Sequence, residues 1–262
     1  MGKNFFFRFK VWTLWLMKSR SWRATHPPHL FRIFESIQSL NVHKDIEFIR
    51  KQFEEDRTLL TTVDAGAGSR VNGVRTVKFM AQHAVKPPKA AARMAGLAHA
   101  LQAQYILELG TCLGTTTAYM ARTGAHVTTI EADPVLAQRA QGAWKALGLN
   151  AHIQGHVGKF DELLPVLTAQ WRAANHPGFD LILIDGNHQG KALQHYVQLL
   201  RPCLSNRDLP TAIVCDDIRW SEDMLCAWED LSKDWRVVVD LGDAGWLFEG
   251  PRLTPFHRAV RL

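Results

Sequence analysis

From Tyr105 onward, short apolar runs alternate with segments of helical period. Tyr105–Leu109 is an apolar run ending at a glycine, and Thr115–Ala121 follows as a helix. Val127–Ile130 predicts a second strand and Pro134–Leu147 its helix, Ala151–Gln154 a third strand and Phe160–Trp171 its helix. Leu181–Ile184 and Thr211–Cys215 are the fourth and fifth strands, with helices over Lys191–Leu200 and Ser221–Leu231. Uninterrupted apolar strands between helices predict a parallel sheet covered on both faces. Trp235–Leu241 and Gly245–Phe248 are joined by the turn Gly242-Asp243-Ala244 with no helix between them. That hairpin predicts one antiparallel strand at the end of a mostly parallel sheet.

The first hundred residues read differently. His26-Pro27-Pro28 is a break, after which Leu30, Phe31, Ile33, Phe34, Ile37 and Leu40 recur at helical spacing. Ile46, Phe48, Ile49 and Phe53 predict a second helix, and Lys86-Pro87-Pro88 precedes a helix-favouring run to Leu101. Without a visible strand pattern, residues 1–100 are expected to form a helical cap and to offer a surface for a homodimer.

Composition adds limits. The 262 residues are 47% hydrophobic and 21% charged, an ordinary globular balance. Cys112, Cys203, Cys215 and Cys226 form no CxxC pair, so neither a disulfide framework nor a zinc site is expected. The net charge of +6 is concentrated at the front, where Lys3, Arg8, Lys10, Lys18, Arg20 and Arg23 precede the first acid, Glu35. A solvated basic arm and a contact with nucleic acid or a membrane surface both follow from that pattern. Phe5–Met17 is too short for a transmembrane span, which takes about 20 apolar residues, and no cleavage site follows it. A helix packed on its own domain, in a cytoplasmic protein, is the expectation.

The chemistry is at the strand ends. The first strand runs into Glu108-Leu-Gly110-Thr111-Cys-Leu-Gly114 and then a helix, and the next ends in Glu131, seventeen positions beyond Gly114. Glycines let backbone approach a ligand, the helix start offers free N–H groups, and an acid at the second strand end can accept both hydroxyls of a ribose. The loop lacks the middle glycine of the dinucleotide fingerprint GxGxxG, which argues against NAD; a sulfonium nucleoside has no pyrophosphate and does not need it. Asp64-Ala-Gly-Ala-Gly-Ser69 looks like a fingerprint but is followed by no strand ending in an acid, so a loop near the site or a plain connector remains. Asp185 ends strand four and Asp216-Asp217 end strand five. Adjacent strands lie about 4.8 Å apart, so these acids can converge on one hard divalent cation such as Mg²⁺, or serve as ordinary strand-end acids.

Taken together, Glu-Leu-Gly-Thr-Cys-Leu-Gly, Glu131, Ile184-Asp-Gly-Asn-His188 and Cys215-Asp-Asp-Ile218 resemble the catechol-type and bacterial class I O-methyltransferases. The likeness covers roughly residues 103–249. It implies a Rossmann-like sheet over 101–262 with a final antiparallel hairpin strand, S-adenosylmethionine as cofactor, and a small-molecule hydroxyl as acceptor. Glu108, Gly110, Thr111, Gly114, Glu131 and Asp185 are the expected cofactor-binding residues. The resemblance also implies a metal at Asp185, Asp216 and Asp217, although the family pattern on strand five is Asp-Asn. His188 stands where the catechol enzymes carry a lysine base, with Lys191 one turn further as the substitute. Trp220 is expected either as an aromatic wall for the acceptor or as a core residue. RNA base methylation is disfavoured because no Asn-Pro-Pro-Tyr or Asp-Pro-Pro-Tyr occurs. A non-catalytic scaffold and a nicotinamide oxidoreductase are the remaining rivals.

Overall fold

The computed structural model describes residues 2–39, 41–60 and 75–262. The N-terminal part comprises α1 (Gly2–Lys18), β1 (Arg20–Ser21), α2 (Pro28–Ser39), α3 (Lys44–Glu55), β2 (Leu59–Leu60), β3 (Arg75–Thr76), α4 (Val77–His83) and α5 (Pro88–Ala100). The alternating part begins with β4 (Tyr105–Leu109), α6 (Thr115–Ala121), β5 (His126–Glu131), α7 (Pro134–Ala146), β6 (Ile153–Val157) and α8 (Phe160–Ala173). It continues with β7 (Leu181–Ile184), α9 (Gly190–Leu200), β8 (Thr211–Cys215), α10 (Glu222–Ser232), β9 (Val237–Asp240), β10 (Gly245–Glu249) and β11 (Phe256–Arg261).

Among the described residues, nine strands form one sheet in the order β1-β11-β9-β10-β8-β7-β4-β5-β6. Only β10 runs antiparallel to its neighbours, β8 and β9, as the hairpin predicts. Four strands were not visible in the sequence, among them β2 and β3, which pair antiparallel as a separate two-stranded sheet. β11 pairs parallel with β9, and the two residues of β1 extend the edge beyond it, so the hairpin is not the last element of the sheet. The third strand lies at Ile153–Val157 rather than Ala151–Gln154. Its residues are half-buried or exposed at the sheet edge, so its apolar signal is weak.

The alternation of side chains explains why the central strands read as continuous apolar runs. Ile106, Leu181, Leu183, Ala212 and Val214 enter one core, while Leu107, Leu109, Ile182, Ile184, Ile213 and Cys215 enter the other. A strand buried on both faces has no polar side to show. The first core is closed by α2 and α5, through Leu30, Phe34 and Leu97, and Phe34 stacks on Trp246 of β10 at 6.4 Å. The second is closed by α8, α9 and α10. Helices from before residue 100 therefore supply one of the layers that flank the sheet. Of the residues that predicted α2, Leu30, Ile33, Phe34 and Ile37 are buried, whereas Leu40 and the Asp64–Ser69 loop lie outside the described residues. Phe48 of α3 is 62% exposed. On α1, Trp15 is buried and donates its indole N–H to the Asp240 carbonyl (3.2 Å), so this helix does pack on its own domain. No helix among the described residues is long and apolar enough to cross a membrane.

The chain order reverses at β4: β5 and β6 lie on one side of it, β7 and β8 on the other. In open parallel sheets such a reversal leaves a crevice at the carboxyl ends of the strands, where ligands bind.

Candidate active site

A cavity of about 580 Å³ opens at that crevice, a size suited to a small-molecule site. Its floor is the carboxyl edge of β4, β5, β7 and β8. The connection from α4 to α5 contributes wall residues, among them Lys86 and Pro87.

The loop after β4 is built for close approach. Gly110 has φ +104°, and a Cβ there would stand 2.0 Å from the Asp185 carbonyl oxygen, so only glycine fits against the end of β7. Gly114 has φ +70°, and the indole N–H of Trp144 donates to its carbonyl at 2.9 Å, pinning the start of α6. Thr111, Thr115 and Thr116 line the cavity, and the Thr115 hydroxyl is buried without a protein partner. Glu131 also lines it. Its carboxylate accepts the amide N–H of Cys112 (2.7 Å) and of Asp133 (3.0 Å), which fixes the loop against the end of β5. Burial pushes the Glu131 carboxyl above its ordinary value, partly offset by the two amides.

Glu108 lies behind this wall and is not among the cavity-lining residues. It is 1% exposed and accepts hydroxyl hydrogen bonds from Thr117 (2.5 Å) and Thr129 (2.8 Å); Thr129 in turn shares a 2.5 Å hydrogen bond with Thr111. It reaches the cavity lining only through Thr129 and Thr111.

Beside this loop, Asp185 and Asp216 extend neighbouring strands in register, the last ladder pair being Ile184 with Cys215. The sequence did not single out what lies between them. The Lys86 ammonium is 3.0 Å from the Asp185 carboxylate and donates a hydrogen bond to Asp216. Lys86 precedes Pro87, a context that restricts its backbone to extended conformations, and Pro88 starts α5. The Lys86-Pro-Pro88 break was legible, but nothing in one chain ties that lysine to acids about 100 and 130 positions later. Burial would lower the Lys86 pKa, but the two carboxylates outweigh it and hold the ammonium above its usual range. Asp216 is pushed up to about 6 by burial and by Asp185, with Lys86 acting in the opposite direction. Asp217 is also raised, first by burial and then by Asp216.

The arrangement departs from the expected Mg²⁺ site. The two acids that would supply adjacent ligands already share a fixed cation. Asp217 instead lies 3.7 Å from the His188 ring. No group of three or more His, Cys, Asp or Glu side chains among the described residues is arranged to hold a metal ion. With Lys86 where it stands, the donor set does not fit a divalent ion.

His188 and Trp220 both line the cavity, with ring centroids 5.8 Å apart. They follow Asn187 and Asp217, each with φ +51°, a left-handed turn that Asn and Asp tolerate. Trp220 is 39% exposed and carries the Arg8 guanidinium over its ring at 5.3 Å, so it forms the lip of the cavity rather than core. Arg219 anchors this corner: it binds both carboxylate oxygens of Asp240 (2.8 and 2.7 Å) and the Gly242 carbonyl (2.7 Å). Lys191 sits exposed on α9 and does not line the cavity.

Residues 107–218 match a family model described as a methyltransferase domain. A catechol O-methyltransferase from Niastella koreensis is 34% identical over 127 residues, covering 47% of this chain and 52% of that protein. The chain thus matches about half the length of this curated relative. The O-methyltransferase TomG from Streptomyces achromogenes, solved with SAM and described as involved in tomaymycin synthesis, superposes with a TM-score of 0.58 at 16% identity. That match covers 82% of this chain and 93% of TomG. An SAH-bound O-methyltransferase from Bacillus cereus has a TM-score of 0.52 at 19% identity, covering 63% of this chain and 82% of that one. Residues 107–218 thus resemble a methyltransferase domain, and the sheet has the Rossmann-like fold of these solved O-methyltransferases.

Proposed function

We propose that the protein transfers a methyl group from S-adenosylmethionine to the hydroxyl oxygen of a small molecule. The observation that carries this reading is a single cavity lined by Glu131, Gly110, Thr111 and Cys112 together with Lys86 and His188. The family match over 107–218 and the SAM- and SAH-bound neighbours support it.

The cofactor side fits a nucleoside. The Glu131 oxygens, each with one amide bond, retain lone pairs for ribose hydroxyls. Gly110 and Thr111 border the methionine portion, and the orphan Thr115 hydroxyl at the start of α6 offers a further donor there. When bound, S-adenosylmethionine supplies an electrophilic methyl on a positive sulfur.

On the acceptor side, Lys86 has three N–H donors and commits two to carboxylates, which leaves one for the acceptor oxygen. His188 takes the hydroxyl proton as the oxygen–methyl bond forms and the carbon–sulfur bond breaks; Asp217 stands beside its ring to stabilise the resulting imidazolium. Trp220 walls the acceptor. The protein's main contribution is alignment of oxygen, methyl and sulfur.

The test is a screen of aromatic and aliphatic hydroxyl compounds with S-adenosylmethionine, reading S-adenosylhomocysteine release. His188→Ala is expected to cut turnover on any accepted substrate by about 10²–10⁴-fold while leaving S-adenosylhomocysteine affinity unchanged. Unchanged turnover would remove His188 as the base.

A further inference from the structure

We infer that the Lys86 ammonium replaces the divalent cation of the acceptor side, so that Asp185 and Asp216 take up no Mg²⁺ and the acceptor is held through a single oxygen. The inference deepens the methyltransferase reading and rests on it for what the acceptor is.

The geometry carries the argument. A divalent ion between these strand ends needs carboxylate oxygens at about 2.0–2.1 Å in a near-octahedral shell. Here Oδ2 of Asp185 and Oδ2 of Asp216 both face one nitrogen, at 3.0 Å and in a hydrogen bond respectively. The ammonium is only 12% exposed, and the two acids are 20% and 17% exposed, so the three groups leave little water among them. An arriving cation would have to expel Lys86 or sit against a like charge at low local dielectric, where repulsion is strong. Expulsion would strip the ammonium of both carboxylate partners, and only the side chain can move, because Pro87 restrains the Lys86 backbone and Pro88 already belongs to α5. The third acid is turned elsewhere, toward His188.

The exchange changes what the site can select. A bound metal can accept two oxygens of a vicinal diol, as a chelate. One remaining N–H accepts one. The acceptor class that fits is therefore a lone hydroxyl, with no adjacent second oxygen required.

Manganese serves as the probe because its electron paramagnetic resonance reports binding directly, without turnover. The full chain is titrated with Mn²⁺, with a parallel S-adenosylhomocysteine titration on the same sample. Wild type is expected to show no stoichiometric Mn²⁺ site. Lys86→Met is expected to gain one, tighter by on the order of tenfold or more through loss of a fixed like charge, and Lys86→Met/Asp216→Asn to lose it again. One tight Mn²⁺ site in wild type that Asp216→Asn removes overturns the inference. So does a Lys86→Met protein that binds S-adenosylhomocysteine yet takes no Mn²⁺. If Lys86→Met fails to fold, the wild-type titration decides alone. Failure of S-adenosylhomocysteine to bind would count against the cofactor reading and leave the Mn²⁺ result standing.

Discussion

Glu108 offers a sharp test of the packing beneath the cofactor loop. Its carboxyl is 1% exposed, accepts two threonine hydroxyls on Oε2, and leaves Oε1 buried without a partner. Burial pushes it up to about 8 from an ordinary 4.5, against the pull of Thr117 and Thr129. Between those values the folded protein keeps a proton that the unfolded chain has released. Stability from this group is therefore fully present below about pH 4.5 and falls as pH rises to about 8. Across about three pH units the loss amounts to roughly 4 kcal/mol. Glu108→Gln keeps the shape and an acceptor for the threonines but cannot titrate. Urea unfolding of both proteins between about pH 5 and pH 8 isolates the term, because all other groups cancel in the difference. The stability of wild type relative to the variant should fall as pH rises. A difference that does not change with pH would refute the burial argument.

Three further outcomes are expected. Glu131→Ala should weaken S-adenosylhomocysteine binding by about 10–100-fold, the loss of one or two charge-assisted hydrogen bonds, as read by calorimetry. Gly110→Ala places a methyl group 2.0 Å from the Asp185 carbonyl oxygen at φ +104°; thermal unfolding should drop and the cofactor titration should show no heat. Arg219→Met removes the cation from the partly buried Asp240 and leaves it only the Gly242 amide, at a cost of up to about 3 kcal/mol. Its melting temperature should fall by roughly 10 °C, with Trp220 fluorescence changing as the corner loosens.

The central sheet was legible because its strands are buried on both faces and bounded by glycines and helices. Leu181–Ile184 and Thr211–Cys215 match the structure to the residue. Strand-end acids were legible for the same reason: in a parallel sheet the residue after an apolar run emerges at the binding edge. Edge elements were not. β11 mixes His257 and Arg258 with Phe256 and Val260, and the two residues of β1 carry no pattern of their own. The N-terminal helices were recognised by period, but their role as a sheet layer depends on contacts such as Phe34 with Trp246, 212 positions apart. Lys86 is the consequential omission. Its charge, next to two prolines, looks like any loop lysine until the fold delivers it between Asp185 and Asp216. Glu108 shows the opposite case, a motif residue placed behind the cavity wall rather than in it.

The most direct test of the account is calorimetric titration of the folded protein with S-adenosylhomocysteine. One site with affinity on the order of micromolar is predicted if, as proposed, Glu131 and the loop from Gly110 receive the nucleoside. No heat from a sample that unfolds cooperatively would contradict the methyltransferase reading at its root.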